Sequence, residues 1–133
     1  MIGGFIVQGN TSKTILVRGR GPSLAGAPFF VPGTLPNPFL QIFSGATSIA
    51  RNNNWQEAPD CNAGFTCGNA AQIVATGLDP CEPNPGQSVP PPNCALESAI
   101  LITLPPGPYT IQLSAPPGSV ETGVGLVEAF EVN

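Results

Sequence analysis

Between Tyr109 and Ser114 the chain alternates without a fault. Tyr109, Ile111 and Leu113 fall on one face, and Thr110, Gln112 and Ser114 on the other. A period of two marks a half-buried β-strand. The strand is fenced by proline and glycine. Ahead of it stands Pro105-Pro106-Gly107-Pro108. Pro106 pre-sets φ for the second position of a type II turn, and Gly107 supplies the positive φ that the third requires. Pro108 has no N–H, so the closing hydrogen bond of that turn is expected to be missing. Ala115-Pro116-Pro117-Gly118 repeats the pattern behind the strand. Ala99–Leu104 (AILITL) is apolar throughout, and Thr122–Val132 (TGVGLVEAFEV) reads as one last strand of 11 residues. At roughly 3.3 Å per residue that strand would be about 36 Å long. The last third of the chain is thereby committed to β-structure.

The rest follows suit. Ile2–Gln8 (IGGFIVQ) is predicted as a strand, Gly9-Asn10 as a turn, and Lys13–Arg18 (KTILVR) as the second arm of a hairpin. A loop with Pro28, Pro32, Gly33, Pro36 and Pro38 leads to a strand at Phe39–Phe43 and, across Ser44-Gly45, to a short one at Thr47–Ala50. The stretch 56–97 has another texture, with all four cysteines and seven prolines. Within it Asn69-Ala70-Ala71-Gln72 has the form of a capping box, and Gly77 that of a helix stop. One short helix is expected there, Ala70–Thr76, packing Ile73 or Val74 onto a sheet. Sixteen Gly and 17 Pro beside 41% apolar residues describe a turn-rich all-β protein. The expected fold is a two-sheet β-sandwich, immunoglobulin-like or jelly-roll-like, of about seven to nine strands. It carries one short helix and a disulfide-stapled long loop, with 1–133 forming a single domain.

Charge and missing residue types narrow the chemistry. The net charge is −4, with four Lys or Arg against eight acids. Nucleic acid wants a basic footprint, and so does an anionic membrane surface. Neither partner is expected, nor is membrane insertion. The chain has no His, which removes the commonest general base and metal ligand together. Cys61, Cys67, Cys81 and Cys94 are even in number and clustered. Their gaps of five and 12 residues do not suit the close pairs of a four-cysteine zinc site, so two disulfides are expected. Four cysteines allow three connectivities. Disulfides imply an oxidising compartment, and the chain is expected at the cell surface or outside the cell. No signal peptide or membrane-spanning run is read in it, so a mature, processed form is expected.

Several segments together carry a resemblance: Ile2-Gly3-Gly4-Phe5-Ile6-Val7, Lys13–Leu24 (KTILVRGRGPSL), Asn52–Trp55, Glu97–Leu101, Leu104–Tyr109 (LPPGPY) and Thr122–Glu128 (TGVGLVE). They resemble an uncharacterised Gly/Pro-rich β-domain found, often in tandem, in large secreted proteins of environmental bacteria. The resemblance covers most of the chain outside the cysteine-bearing segments, which look like insertions. It implies a secreted β-module and no activity. Members usually carry a further strand-like piece before the Ile-Gly-Gly motif, which is absent here. If the cysteine segments are insertions, each pair closes its own loop: Cys61 with Cys67, and Cys81 with Cys94.

Six candidate sites remain. Arg18-Gly19-Arg20-Gly21 could be an anion-binding loop, but it lacks the spacing of a phosphate motif and Pro22 follows it; a strand end with a structural Arg is preferred. Glu128 shares a face with Val124, Leu126, Phe130 and Val132. A carboxylate there must be paired, and Arg18, or failing that Arg20, is the expected partner. Its alternative as a general acid lacks a second catalytic group. Gly123 and Gly125 lie on the opposite face and imply close approach by a bulky group, an aromatic ring or a neighbouring subunit's backbone ahead of a ligand. Trp55 reads as a cap over the sandwich end, and otherwise as a platform for a surface glycan. The asparagines with Asp60 and Asp79 have the oxygen ligands that calcium takes, but no EF-hand spacing, so no metal or cofactor is expected. Asn10-Thr11-Ser12 is a formal glycosylation sequon.

No enzyme is expected. The preferred reading is a structural subunit of an extracellular filament, a homopolymer of the chain joined head to tail by terminal strand addition, with Ile2, Phe5, Val7, Phe130 and Val132 at the subunit interface. The alternative is a secreted adhesion or carbohydrate-binding module of a larger cell-surface protein.

Overall fold

A computed structural model describes residues 1–132. Among the described residues nine strands form two antiparallel sheets: β1 (Ile2–Val7), β2 (Lys13–Arg20), β3 (Phe39–Ser44), β4 (Thr47–Asn52), β5 (Asp60–Cys61), β6 (Thr66–Cys67), β7 (Ser98–Leu104), β8 (Gly107–Ser114) and β9 (Leu126–Val132). Helix α1 spans Ala70–Ala75. One sheet has the order β1-β8-β3-β4-β5 and the other β6-β7-β2-β9. The fold is the expected two-sheet sandwich. First pairs with eighth strand and second with seventh, which is jelly-roll-like.

Long-range pairing explains what the hairpin reading missed. β1 and β2 do not pair with each other; residues 8–12 arch between sheets, and β1 pairs with β8 while β2 lies between β7 and β9. β7 and β8 likewise face each other across the sandwich, leaving only two residues between them. Gly107 takes a positive φ of 152° but already belongs to β8, opposite Val7. The Pro116–Ser119 turn forms as expected: the Ser119 N–H donates to the Pro116 carbonyl at 2.9 Å, and Gly118 has φ 84°. The last strand is shorter than 11 residues. Val124 makes a single parallel bridge to Thr34, and β9 starts at Leu126.

The main core lies between the sheets and includes Val17, Leu40, Ile42, Ile100, Ile102, Leu104 and Ile111. A second core lies on the outer face of the β6-β7-β2-β9 sheet, where Leu16, Ala99 and Leu101 meet Trp55 and Ile73. The stretch from Ala70 to Cys81 is thus a cover, while Cys61, Phe65 and Cys67 pack on the main core. The cover accounts for the apolar run from Ala99 to Ile102 in β7, which is buried on both faces. Helix α1 supplies Ile73, while Val74 stays exposed. Its capping box forms: Asn69 Oδ1 accepts the Gln72 N–H at 2.9 Å, and Gln72 Oε1 accepts the Asn69 N–H at 2.8 Å. Both disulfides take the expected pairing, Cys61–Cys67 and Cys81–Cys94.

Candidate functional site

Two places concentrate what is unusual here: a buried ion cluster beneath the cover, and an open side of the sandwich.

The cluster is set by register. β2 places Leu16, Arg18 and Arg20 on the covered face, and β9 pairs Glu128 opposite Arg18 and Phe130 opposite Leu16. Arg18 Nη2 donates to Glu128 Oε1 at 2.9 Å, and Arg20 Nη1 stands 3.7 Å from the same oxygen. Arg18 Nη1 also donates to the Leu78 carbonyl at 2.9 Å, and its guanidinium lies 4.8 Å from the Phe130 ring centre. Arg20 donates from Nε to Ser23 Oγ at 2.9 Å and from Nη2 to Asn84 Oδ1 at 2.5 Å. The expected pair of Glu128 with Arg18 is present, with Arg20 as a second partner.

The loop after the arginines cradles a carboxyl group, and that group comes from within the chain. Pro22–Ala25 forms a 3-10 turn, and the Gly21 and Ser23 N–H groups donate to the Glu97 carboxylate at 3.1 and 2.7 Å. Glu97 is wholly buried. Burial pushes its pKa up, against the opposing pull of those N–H groups and of Arg20. Burial likewise lowers the pKa of Arg20. Sequence reasoning missed Glu97, which the second 3-10 turn at Cys94–Leu96 turns inward ahead of β7. A carboxyl sealed from solvent and held by backbone donors locks loops together; it offers nothing to an outside substrate. A cleft of about 240 Å³ opens beside the cluster, lined in part by Arg18, Arg20, Glu82 and Asn84.

The other sequence candidates resolve into packing. A Cβ at Gly123 would sit 2.5 Å from the Leu35 nitrogen, and one at Gly125 would sit 2.7 Å from the Leu113 side chain. The bulky neighbours are the chain's own backbone and a leucine, not an aromatic ring or another subunit. Trp55 is buried and donates from Nε1 to the Cys94 carbonyl at 3.1 Å. Its ring covers the outer core and presents no face to a sugar. Asp60 pairs with Arg51 at 3.0 Å, and Asp79 Oδ1 accepts the Cys81 N–H at 3.0 Å. Asn10 is exposed on the arch.

Comparison with family models, curated proteins and solved structures returns no match. Any assignment rests on the molecule itself.

The sandwich has two unlike sides. On one, the edges are β5 and β6, two residues each, tied across the sheets by Cys61–Cys67. On the other, the edges are β1 and β9, six and seven residues long. A Cβ at Gly3 would come within 3.1 Å of Val127, so these two strands face each other across the open side. A cleft of about 400 Å³ lies there, lined by Ile6, Val7, Gln8, Lys13, Ile15 and Glu131. The residues expected at an interface divide. Ile2 is exposed; Phe5 is half-buried, its ring stacked on Tyr109 with centres 5.5 Å apart. Val7 is part of the main core and has no free surface to offer, which corrects its expected place. Phe130 and Val132 are half-buried and pack on the outer core within their own chain.

Proposed function

We propose that the protein is a structural subunit of an extracellular filament, polymerising head to tail by exchange of its last strand. One observation carries the reading. Among the described strands longer than two residues, β9 alone has no fully buried residue. It covers the edge of β2 and is covered by little. An exposed stretch leads to it, from Pro117 to Val124, with Val120 95% exposed. The 11 residues from Ala115 to Gly125 can reach about 36 Å when extended. If β9 swings out on that tether, the vacated edge of β2 in the next copy offers it the same ladder and the same Arg18–Glu128 pairing. Exchange of an identical element costs little, and a head-to-tail exchange that does not close gives a fibre. The two disulfides fit an oxidising exterior. The resemblance to domains of large secreted proteins points the same way.

Electron microscopy of the full chain and of a variant lacking residues 130–133 tests this. Filaments from the full chain and their loss in the truncation support strand exchange. Filaments that persist in the truncation, or a full chain that stays monomeric, overturn it.

A further inference from the structure

We infer that the free edge of β1 binds β1 of a second copy, antiparallel, about a two-fold axis at Gly4. This goes beyond strand exchange at β9 and does not rest on it.

The backbone fixes which groups are free. Met1 N donates to the Leu113 carbonyl, and the Leu113 N–H donates back to the Met1 carbonyl, both at 2.9 Å. Met1 and Leu113 are therefore a hydrogen-bonded pair. In an antiparallel ladder such pairs alternate with non-bonded ones. Gly3, Phe5 and Val7 then bond to β8, while Ile2, Gly4 and Ile6 direct their N–H and C=O groups to the open edge. Pro108 agrees with this assignment. It stands opposite Ile6, a non-bonded position where a missing N–H costs nothing.

The side chains make the edge self-complementary. β1 reads IGGFIV and has no charge and no proline. Protected edges carry charge, proline or a bulge, or are kept very short; β5 and β6 are short, and β9 carries Glu128 and Glu131. Ile2 and Ile6 point outward with 71% and 67% of their surface exposed. The three outward-bonding residues can all pair only in the register that sets Gly4 against Gly4. That register lays Ile2 against Ile6 of the other copy, twice, and forms six backbone hydrogen bonds. It also sets Gly3 against Phe5, so the ring covers a glycine rather than meeting a second ring. Because the strand is neutral, two identical copies meet without repulsion. A partner of either charge would find nothing there to recognise. The contact is isologous and closes on itself as a dimer.

Sedimentation velocity over a range of concentrations tests the inference on the full chain and two variants. Beside any strand-exchanged polymer, the wild type should show a concentration-dependent dimer. Ile2→Lys with Ile6→Lys places like charges directly opposite and should weaken the dimer at least tenfold. Ile2→Lys with Ile6→Glu places Lys opposite Glu only in the Gly4 register and should restore it. Both positions are exposed, so unchanged circular dichroism and melting should confirm that the variants fold. A wild type that is monomeric throughout, or a double lysine variant that dimerises like the wild type, overturns the inference. A Lys/Glu variant that stays as weak as the double lysine overturns the register. The variant lacking residues 130–133 should keep this dimer, which separates it from strand exchange.

Discussion

Glu128→Gln is the most informative single substitution. It keeps the shape of the side chain and removes the charge that sits between two guanidiniums. Arg18 and Arg20 are 12% and 8% exposed and Glu128 is 23% exposed. A fully buried pair broken on one side costs about 3–5 kcal/mol, and an exposed pair about 0–1 kcal/mol. Glu128 lies on an edge strand with some access to water, so the cost should fall between these, at about 2–3 kcal/mol. Two features raise it. Arg18 Nε is already buried without a partner, and with Glu128 neutral the two arginines face each other with the weaker pull of Glu97 on Arg20 left to offset them. A domain of this size loses about 3–5 °C of Tm per kcal/mol, which gives a fall of roughly 6–15 °C. Thermal unfolding followed by circular dichroism, disulfides intact, measures it. Glu131→Gln is the control, since its pair with Lys13 at 3.2 Å is 41% and 51% exposed. If the two substitutions lower the Tm equally, the cluster does not hold β9 and the reasoning fails.

Two further outcomes are expected. Because burial raises the Glu97 pKa, its stabilising contribution is complete below the unfolded value of about 4.3 and is lost as pH rises through the folded value. The wild type should therefore lose stability relative to Glu97→Gln as pH rises above about 4 and through the raised folded value; a Tm difference independent of pH would refute the assignment. Replacing Cys81 and Cys94 by Ala should cost about 3 kcal/mol in the chain-entropy model, and replacing Cys61 and Cys67 about 2 kcal/mol, because the first pair closes the longer loop. Denaturant titration measures both, and the opposite order would show that native packing around the bridges outweighs loop closure.

What could be read from the sequence was local, and what could not was long-range. Alternation in Tyr109–Ser114, the Asn69 capping box and the Pro117-Gly118 turn each depend on neighbours in the chain, and each formed. The Glu128 and Arg18 pair was legible for another reason: a charge on an apolar strand in so charge-poor a chain has few partners. Strand pairing was not legible, because short arches hide it. Lys13 follows Val7 by six residues yet lies in the other sheet. The role of the stretch from Ala70 to Cys81 was hidden too. Only when Leu16, Ala99 and Leu101 are seen on the outer face does the segment read as a second core's lid. Glu97 escaped notice because nothing in its neighbours announces the cradle at Gly21 and Ser23, 74 residues and more away.

A sandwich made of open sheets has four edges to manage, and a chain with 12 charged residues cannot guard them all with charge. This one uses a different device on each side. The β5/β6 side is shortened to two-residue strands and fastened by Cys61–Cys67, so neither sheet can grow there. The β9 edge keeps two of the eight acids, and both are occupied: Glu128 turns inward to the arginines and Glu131 holds Lys13. Charge that is spent on partners within the chain guards an edge only while the strand stays in place. If β9 leaves, as the proposed exchange requires, its acids leave with it, and the edge of β2 is exposed with Arg18 and Arg20 deprived of Glu128. That vacancy favours an incoming strand with a carboxylate opposite Arg18, and the chain's own β9 has one there. Under the proposed exchange, the same cluster that holds the closed form together would select the strand that replaces it. Glu128→Gln should loosen the closed form and weaken selection in the exchanged one, whereas shortening the exposed tether should affect exchange alone.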